Sequence, residues 1–251
     1  MATMSTDNLQ MRMRPIIGAI STSMRPSPAD AKGRRLPAPL PFVTIARQAG
    51  AGGVTLAQVL VKHLNEPDPP KQPWGAFDRE LVERVAADHQ ISASLIDSLG
   101  EASSSWLSEF FAGLRFSDKG QLANELQVFR RVAQTIRALA QVGRVVIVGR
   151  GGAYITRNMP GGVHVRLVAP LEHRIKASAE RHQLSQAEAA DHIRQFDQNR
   201  QAFYKRYWPD QTQGPELFTA TLNTSDLDED QLIECITPMI RPPVRAADAS
   251  S

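Results

Sequence analysis

The segment Arg47-Gln48-Ala49-Gly50-Ala51-Gly52-Gly53-Val54-Thr55 joins a short apolar run to a helical pattern. Its small residues let backbone N–H groups close on an anion at the start of a helix, which is the chemistry of a phosphate cradle. Gly50, Ala51, Gly52, Gly53, Val54 and Thr55 are its candidate contacts. The full pattern G-x-x-x-x-G-K-[ST] adds a lysine for the terminal phosphates and a hydroxyl for magnesium. One register of this segment puts Gly53 at the lysine and Val54 at the hydroxyl; a shift by one puts Thr55 at the hydroxyl and Val54 at the lysine. No register supplies a lysine. A plain glycine turn between strand and helix would use the same residues, so both readings stand at this point.

Three further segments carry charge where chemistry could use it. Asp78-Arg79-Glu80-Leu81-Val82-Glu83-Arg84 offers a carboxylate and two guanidinium groups near a helix start; arginine suits bidentate phosphate recognition, while Asp78 alone would also serve as a helix cap. Gly149-Arg150-Gly151-Gly152 sets an arginine between glycines that permit close ligand approach, for an anion or for a structural ion pair. Arg194, Asp197, Arg200, Lys205 and Arg206 lie on a polar helical stretch that could equally be a solvated face. His173, His182 and His192 show no metal-ligand spacing.

These segments need elements to hold them. Phe42 to Ile45, Trp74 to Phe77, Val145 to Val148, Val163 to Val168 and Thr219 to Leu222 read as strands. Between them Leu56, Val59, Leu60 and Leu64 make one helical stripe, Leu81, Val82 and Val85 another, and Leu122, Leu126, Phe129, Ala133, Ile136 and Ala140 a third, ended by Gly143. Further helices are expected from Leu171, over 185–206, and from Asp228 to Ile240. Alternation of strands with helices predicts an α/β fold with a parallel sheet, whose ligands bind beyond the carboxyl ends of the strands. The glycine loop and Gly149-Arg150 follow two such ends.

The chain has 251 residues, 42% hydrophobic and 22% charged, which is ordinary for one main globular domain. Its net charge of +3 resides in residues 1–40, which take six of the 29 basic and two of the 26 acidic residues and leave 23 and 24 for the rest. That near-neutral remainder argues against nucleic acid as a partner. Cys235 is the only cysteine, so an internal disulfide and a cysteine zinc cluster are excluded, and a reducing, cytoplasmic setting is expected. The longest apolar runs fall far short of a bilayer span. Residues 1–40 read as a disordered basic, proline-containing leader, with a transit peptide as the alternative; residues 41–242 form the domain, with a helical excursion over 92–142 and a lid over 185–208, and 243–251 a disordered tail.

From about residue 42 to 240 the order of landmarks resembles the cytidylate kinase-like members of the nucleoside monophosphate kinases. These landmarks are the glycine loop, Asp78-x₅-Arg84, the apolar strand ending Gly149-Arg150, Asp197-x-x-Arg200, and Leu222-Asn223-Thr224-Ser225 before the last helix. The resemblance implies a P-loop nucleoside triphosphate hydrolase-type three-layer fold with a helical acceptor-binding and lid region. It implies transfer of the γ-phosphoryl of ATP to a nucleoside monophosphate such as CMP or dCMP, with Mg2+. It carries acceptor-phosphate contacts to Arg84 and to Arg130 or Arg131, and acceptor contacts to Asp197 and Arg200, with Arg150 at the family's Gly-Arg and Asp78 opening the second landmark. Arg79 stands where the family has serine, Gly151 where an acid is usual, and the loop lysine is absent. Arg47, Arg194 or Arg200 are expected to supply the missing charge, and Thr55 to hold the magnesium. A nucleotide-binding regulatory module without turnover, and a kinase for another small acceptor, remain the alternative readings.

Overall fold

The structure is a computed structural model that describes residues 39–66, 72–88, 99, 101–113, 121–209 and 214–240. The expected leader, apart from residues 39 and 40, and the expected tail lie outside the described residues, as do 92–98, 100 and 114–120 of the helical excursion.

Five parallel strands form one sheet in the order β2-β3-β1-β4-β5, comprising β1 (Phe42–Arg47), β2 (Gly75–Phe77), β3 (Val145–Val148), β4 (Gly162–Val168) and β5 (Ala220–Asn223). The α-helices among the described residues are α1 (Gly53–Asn65), α2 (Arg79–Ala87), α3 (Glu101–Gly113), α4 (Gln121–Val142), α5 (Gly152–Thr156), α6 (Leu171–His182), α7 (Gln186–Tyr207) and α8 (Glu229–Ile236). The continuous run in β3 is buried throughout because both faces of the sheet are covered. Phe42, Val145 and Ile147 pack with α2, α4 and α5 on one face; Val43, Ile45, Val146 and Val148 pack with α1 and α8 on the other. This is the expected three-layer α/β architecture.

Two features set the floor of the site. β1 is central, so the loop after it emerges between β3 and β4. β1 also runs two residues beyond the apolar stretch, through Ala46 and Arg47, because those residues pair with Arg166 and Leu167 of β4. An element the sequence pattern does not suggest is α5, a single turn after Gly151 whose residues are all buried. α6 and α7 form a helical hairpin over the carboxyl ends of the strands. A Ser185–Glu188 capping box starts α7, and the indole of Trp208, just past its end, stacks on Tyr154 at 4.7 Å.

Candidate active site

The loop after β1 is built as a frame. Gly50 has φ +79°, and a Cβ there would stand 2.6 Å from the carbonyl oxygen of Arg174, so the position admits only glycine without displacement of α6. Gln48 ties the loop to β4 through its N–H to the carbonyl of Leu167 (3.1 Å) and its amide oxygen, which accepts from Ala169 N–H (3.0 Å). Asp197, from α7, accepts from Ala49 N–H (2.9 Å), from Arg200 (2.9 Å) and from Arg174 (2.7 Å). Buried Arg174 also donates to the carbonyls of Ala169 (3.0 Å) and Ala49 (3.1 Å). The result clamps the α6–α7 hairpin to the loop. Gly52, at φ +75°, precedes α1 with no side-chain cap, which leaves the first-turn amides directed outward as an anion cradle requires.

Beside this frame lies a cleft of about 180 Å³ lined by Arg47, Arg79, Gly149, Arg150, Phe196, Asn199, Arg200, Phe203 and Tyr204. Four of these are arginines and none is a carboxylate. Arg47 packs its stem against Gly53 and places its guanidinium where a Cβ on Gly149 would stand. No hydrogen bond or ion pair engages that guanidinium among the described residues. Burial, then the neighbouring Arg200, pushes its pKa down to about 10. Arg150 is in the left-handed region at φ 53°, an uncommon conformation for a side chain of that size. It pairs with Glu83 and lies 5.9 Å from the centroid of Phe203, yet its buried Nε has no hydrogen-bond partner among the described residues. Burial, then Arg79, lowers its pKa to about 10. Both arginines remain cationic at neutral pH while held in poorly hydrated positions, as an anion site requires.

The expected site residues separate into two groups. Arg47, Arg150 and Arg200 converge on the cleft, with Asp197 bracing Arg200 from behind. Gly50 to Thr55 adjoin them. Asp78 instead caps α2, accepting from Leu81 N–H at 2.9 Å. Arg84 pairs with Glu80 at 2.7 Å, and exposed Arg130 lies over the ring of Phe111 at 5.8 Å; neither lines the cleft. Arg194 pairs with Asp191 on the exposed side of α7. At 100° per residue it sits roughly 160° around the helix from Phe196, on the far side from the cleft.

Several site residues were not among the sequence candidates. Phe196, Asn199, Phe203 and Tyr204 join the expected Arg200 on one face of α7, at i, i+3, i+7 and i+8 with Arg200 at i+4. That periodicity was visible in the sequence but is masked by the surrounding charges. Arg174 and Arg181 could not be found from spacing, because their partners Ala49 and Thr55 are 125 and 126 residues away. Arg181 donates to the hydroxyl of Thr55. On the other side of Arg150, an apolar pocket of about 300 Å³ opens between Glu83, α4 and the end of α7, with Phe129, Phe203 and Tyr207 among its walls.

The model of the cytidylate kinase-like family matches residues 42–226. Among solved structures, one of a protein from Eubacterium ventriosum ATCC 27560 superposes with a TM-score of 0.60 at 20% identity, covering 80% of this chain and 97% of that one, which shows a shared fold. Shikimate kinase from Acinetobacter baumannii in complex with shikimate aligns with a TM-score of 0.43 at 15% identity, over 80% of this chain and 93% of that one. No curated protein matches the chain by sequence. No helix among the described residues is long and apolar enough to cross a membrane.

Proposed function

Because the chain belongs to the cytidylate kinase-like family, which places it among nucleotide and small-molecule kinases, we propose that it transfers the γ-phosphoryl of ATP to a nucleoside monophosphate such as CMP or dCMP. The observation that carries this reading is the arginine cleft beside the glycine loop, with no carboxylate among its lining residues. Phosphoryl transfer asks a protein for in-line placement and for positive charge on the equatorial oxygens rather than for covalent chemistry. An oxygen of the acceptor phosphate forms the new bond to the γ-phosphorus as the bridge to the β-phosphate breaks, and ADP leaves. The outward amides of the loop suit the donor phosphates; Arg47, Arg150 and Arg200 suit the transferred group and the acceptor phosphate. The apolar pocket beyond Arg150 suits the body of the acceptor.

Magnesium would neutralise charge on the donor phosphates. Thr55 fits as its protein ligand, since its hydroxyl faces outward to Arg181 from the first turn of α1, and Mg2+ needs few protein ligands when phosphates and water complete its shell. The chain's own contribution is to hold that hydroxyl beside the loop amides. The absence of a loop lysine supports a second reading, a nucleotide-binding module without turnover. Arg79 and Gly151, which replace the family's serine and acid, support a third, a kinase for another small acceptor.

A coupled ADP-release assay across CMP, dCMP, UMP, AMP and non-nucleotide acceptors, run beside ATP calorimetry, separates the three. Turnover highest with CMP or dCMP is expected. ATP binding with no turnover on any acceptor would establish the binding module instead, and turnover confined to a non-nucleotide acceptor would establish the third reading.

A further inference from the structure

We infer that Arg181, at the carboxyl-terminal end of α6, replaces the absent loop lysine by holding the β- and γ-phosphate oxygens of the nucleotide donor. The inference rests on the donor reading above. It starts from a contact that crosses the site: the Arg181 guanidinium donates to Thr55 Oγ1 on the first turn of α1. Thr55 directly follows Gly53 and Val54, the two positions at which a lysine would stand. Arg181 thus brings a cation from a different helix to the place where the loop lacks one.

The space and the neighbouring charges agree with this. Among the described residues nothing stands within 4 Å of a Cβ position on Gly52, so they leave the side of the loop next to α1 open to a ligand. The other cations around the loop are committed or aimed elsewhere. Arg174 serves Asp197 and two backbone carbonyls, and Arg200 serves Asp197. Arg47 points past Gly53 to Gly149, on the β3 side, and Arg194 pairs with Asp191 away from the cleft. Arg181 has no carboxylate partner among the described residues, only a neutral hydroxyl. A neutral acceptor is readily exchanged for phosphate oxygens, which the planar guanidinium can hold two at a time. The exchange also releases the Thr55 hydroxyl for a metal ligand role.

Calorimetry on the full chain tests this with ATP and ADP, each in magnesium and in EDTA, for wild type, Arg181→Ala, Arg181→Lys, Thr55→Val, the double variant, and Lys176→Ala as an exposed charge on the same helix. Loss of one charge-assisted contact should weaken ATP binding by Arg181→Ala roughly ten- to a hundredfold. That loss should persist in EDTA and in the Thr55→Val background. Arg181→Lys should recover part of it, Lys176→Ala should bind as wild type, and the melting temperature of Arg181→Ala should match wild type. Wild-type ATP affinity in Arg181→Ala would overturn the inference while leaving the donor reading intact. Disappearance of the effect in the Thr55→Val background would also overturn it, because Arg181 would then only brace the threonine. Failure of wild type to bind ATP would overturn both.

Discussion

The glycine loop and the arginine cleft are adjacent, yet their polar groups are satisfied to different degrees. On the loop side Asp197, Arg174 and Ala49 bond one another, and Gln48 bonds Leu167 and Ala169, at distances of 2.7 to 3.1 Å. On the cleft side Arg47 lacks a hydrogen-bonding partner among the described residues, Arg150 keeps a buried Nε unpaired, and burial lowers the pKa of both to about 10. A saturated network positions; cations left partly unpaired can take charge of the opposite sign. The site does not lack cationic charge; its arginines come from β1, the turn after β3, α2, α6 and α7 rather than from the loop itself.

If the loop side is a frame, breaking it should cost stability before it costs anything else. Gly50→Ala would force a Cβ to within 2.6 Å of the Arg174 carbonyl at φ +79°, and a loss of about 3 kcal/mol is expected in urea unfolding. Unchanged stability would show that the loop yields easily and is no frame. Beneath the loop, buried His164 hydrogen-bonds Thr44 between β4 and β1 at 2.8 Å, and burial, then Arg157, lowers its pKa from 6.5 to about 4. The unfolded chain therefore binds more protons than the folded one between those values. The stabilisation is present above pH 6.5 and is lost as pH falls toward 4, by up to roughly 3 kcal/mol. Melting curves across that window should show this slope in wild type, and His164→Gln should flatten it; an equal slope in the variant would assign it to other groups.

The sequence carried the fold further than it carried the site. Each strand was marked by its own β-branched or apolar residues, as in Val145 to Val148, and Gly143 marked the end of α4, so local pattern sufficed. Arg47 and Arg150 were marked too, by their places at strand ends. What local pattern could not show is pairing across the chain. Asp197 reads as half of an Asp-x-x-Arg pair, but its place is fixed by Ala49, 148 residues away. Arg194 and Arg200 have the same charge on the same helix, and only the packing of α7 decides that one faces the cleft and the other solvent. The same holds for Arg84, paired with Glu80, and Arg130, over the ring of Phe111, whose charges do not line the cleft.

The smallest expected change in stability is the sharpest test of the cleft. Arg47→Ala removes a desolvated cation with no hydrogen-bonding partner among the described residues. Its pKa is lowered on folding, so the charged form is disfavoured in the folded chain, and its removal should leave stability unchanged or raise it by about 1 kcal/mol. Kinase turnover should nevertheless fall roughly a hundredfold, since charge aimed at the transferred group is lost. Arg194→Ala, the same substitution on an exposed residue paired at i,i+3 with Asp191, should shift stability by less than about 0.5 kcal/mol and turnover by less than about twofold. Urea melts and steady-state rates for the two variants side by side test the division directly. Equal losses of turnover would place Arg194 in the site after all, and a large loss of stability in Arg47→Ala would move Arg47 from the cleft to the frame.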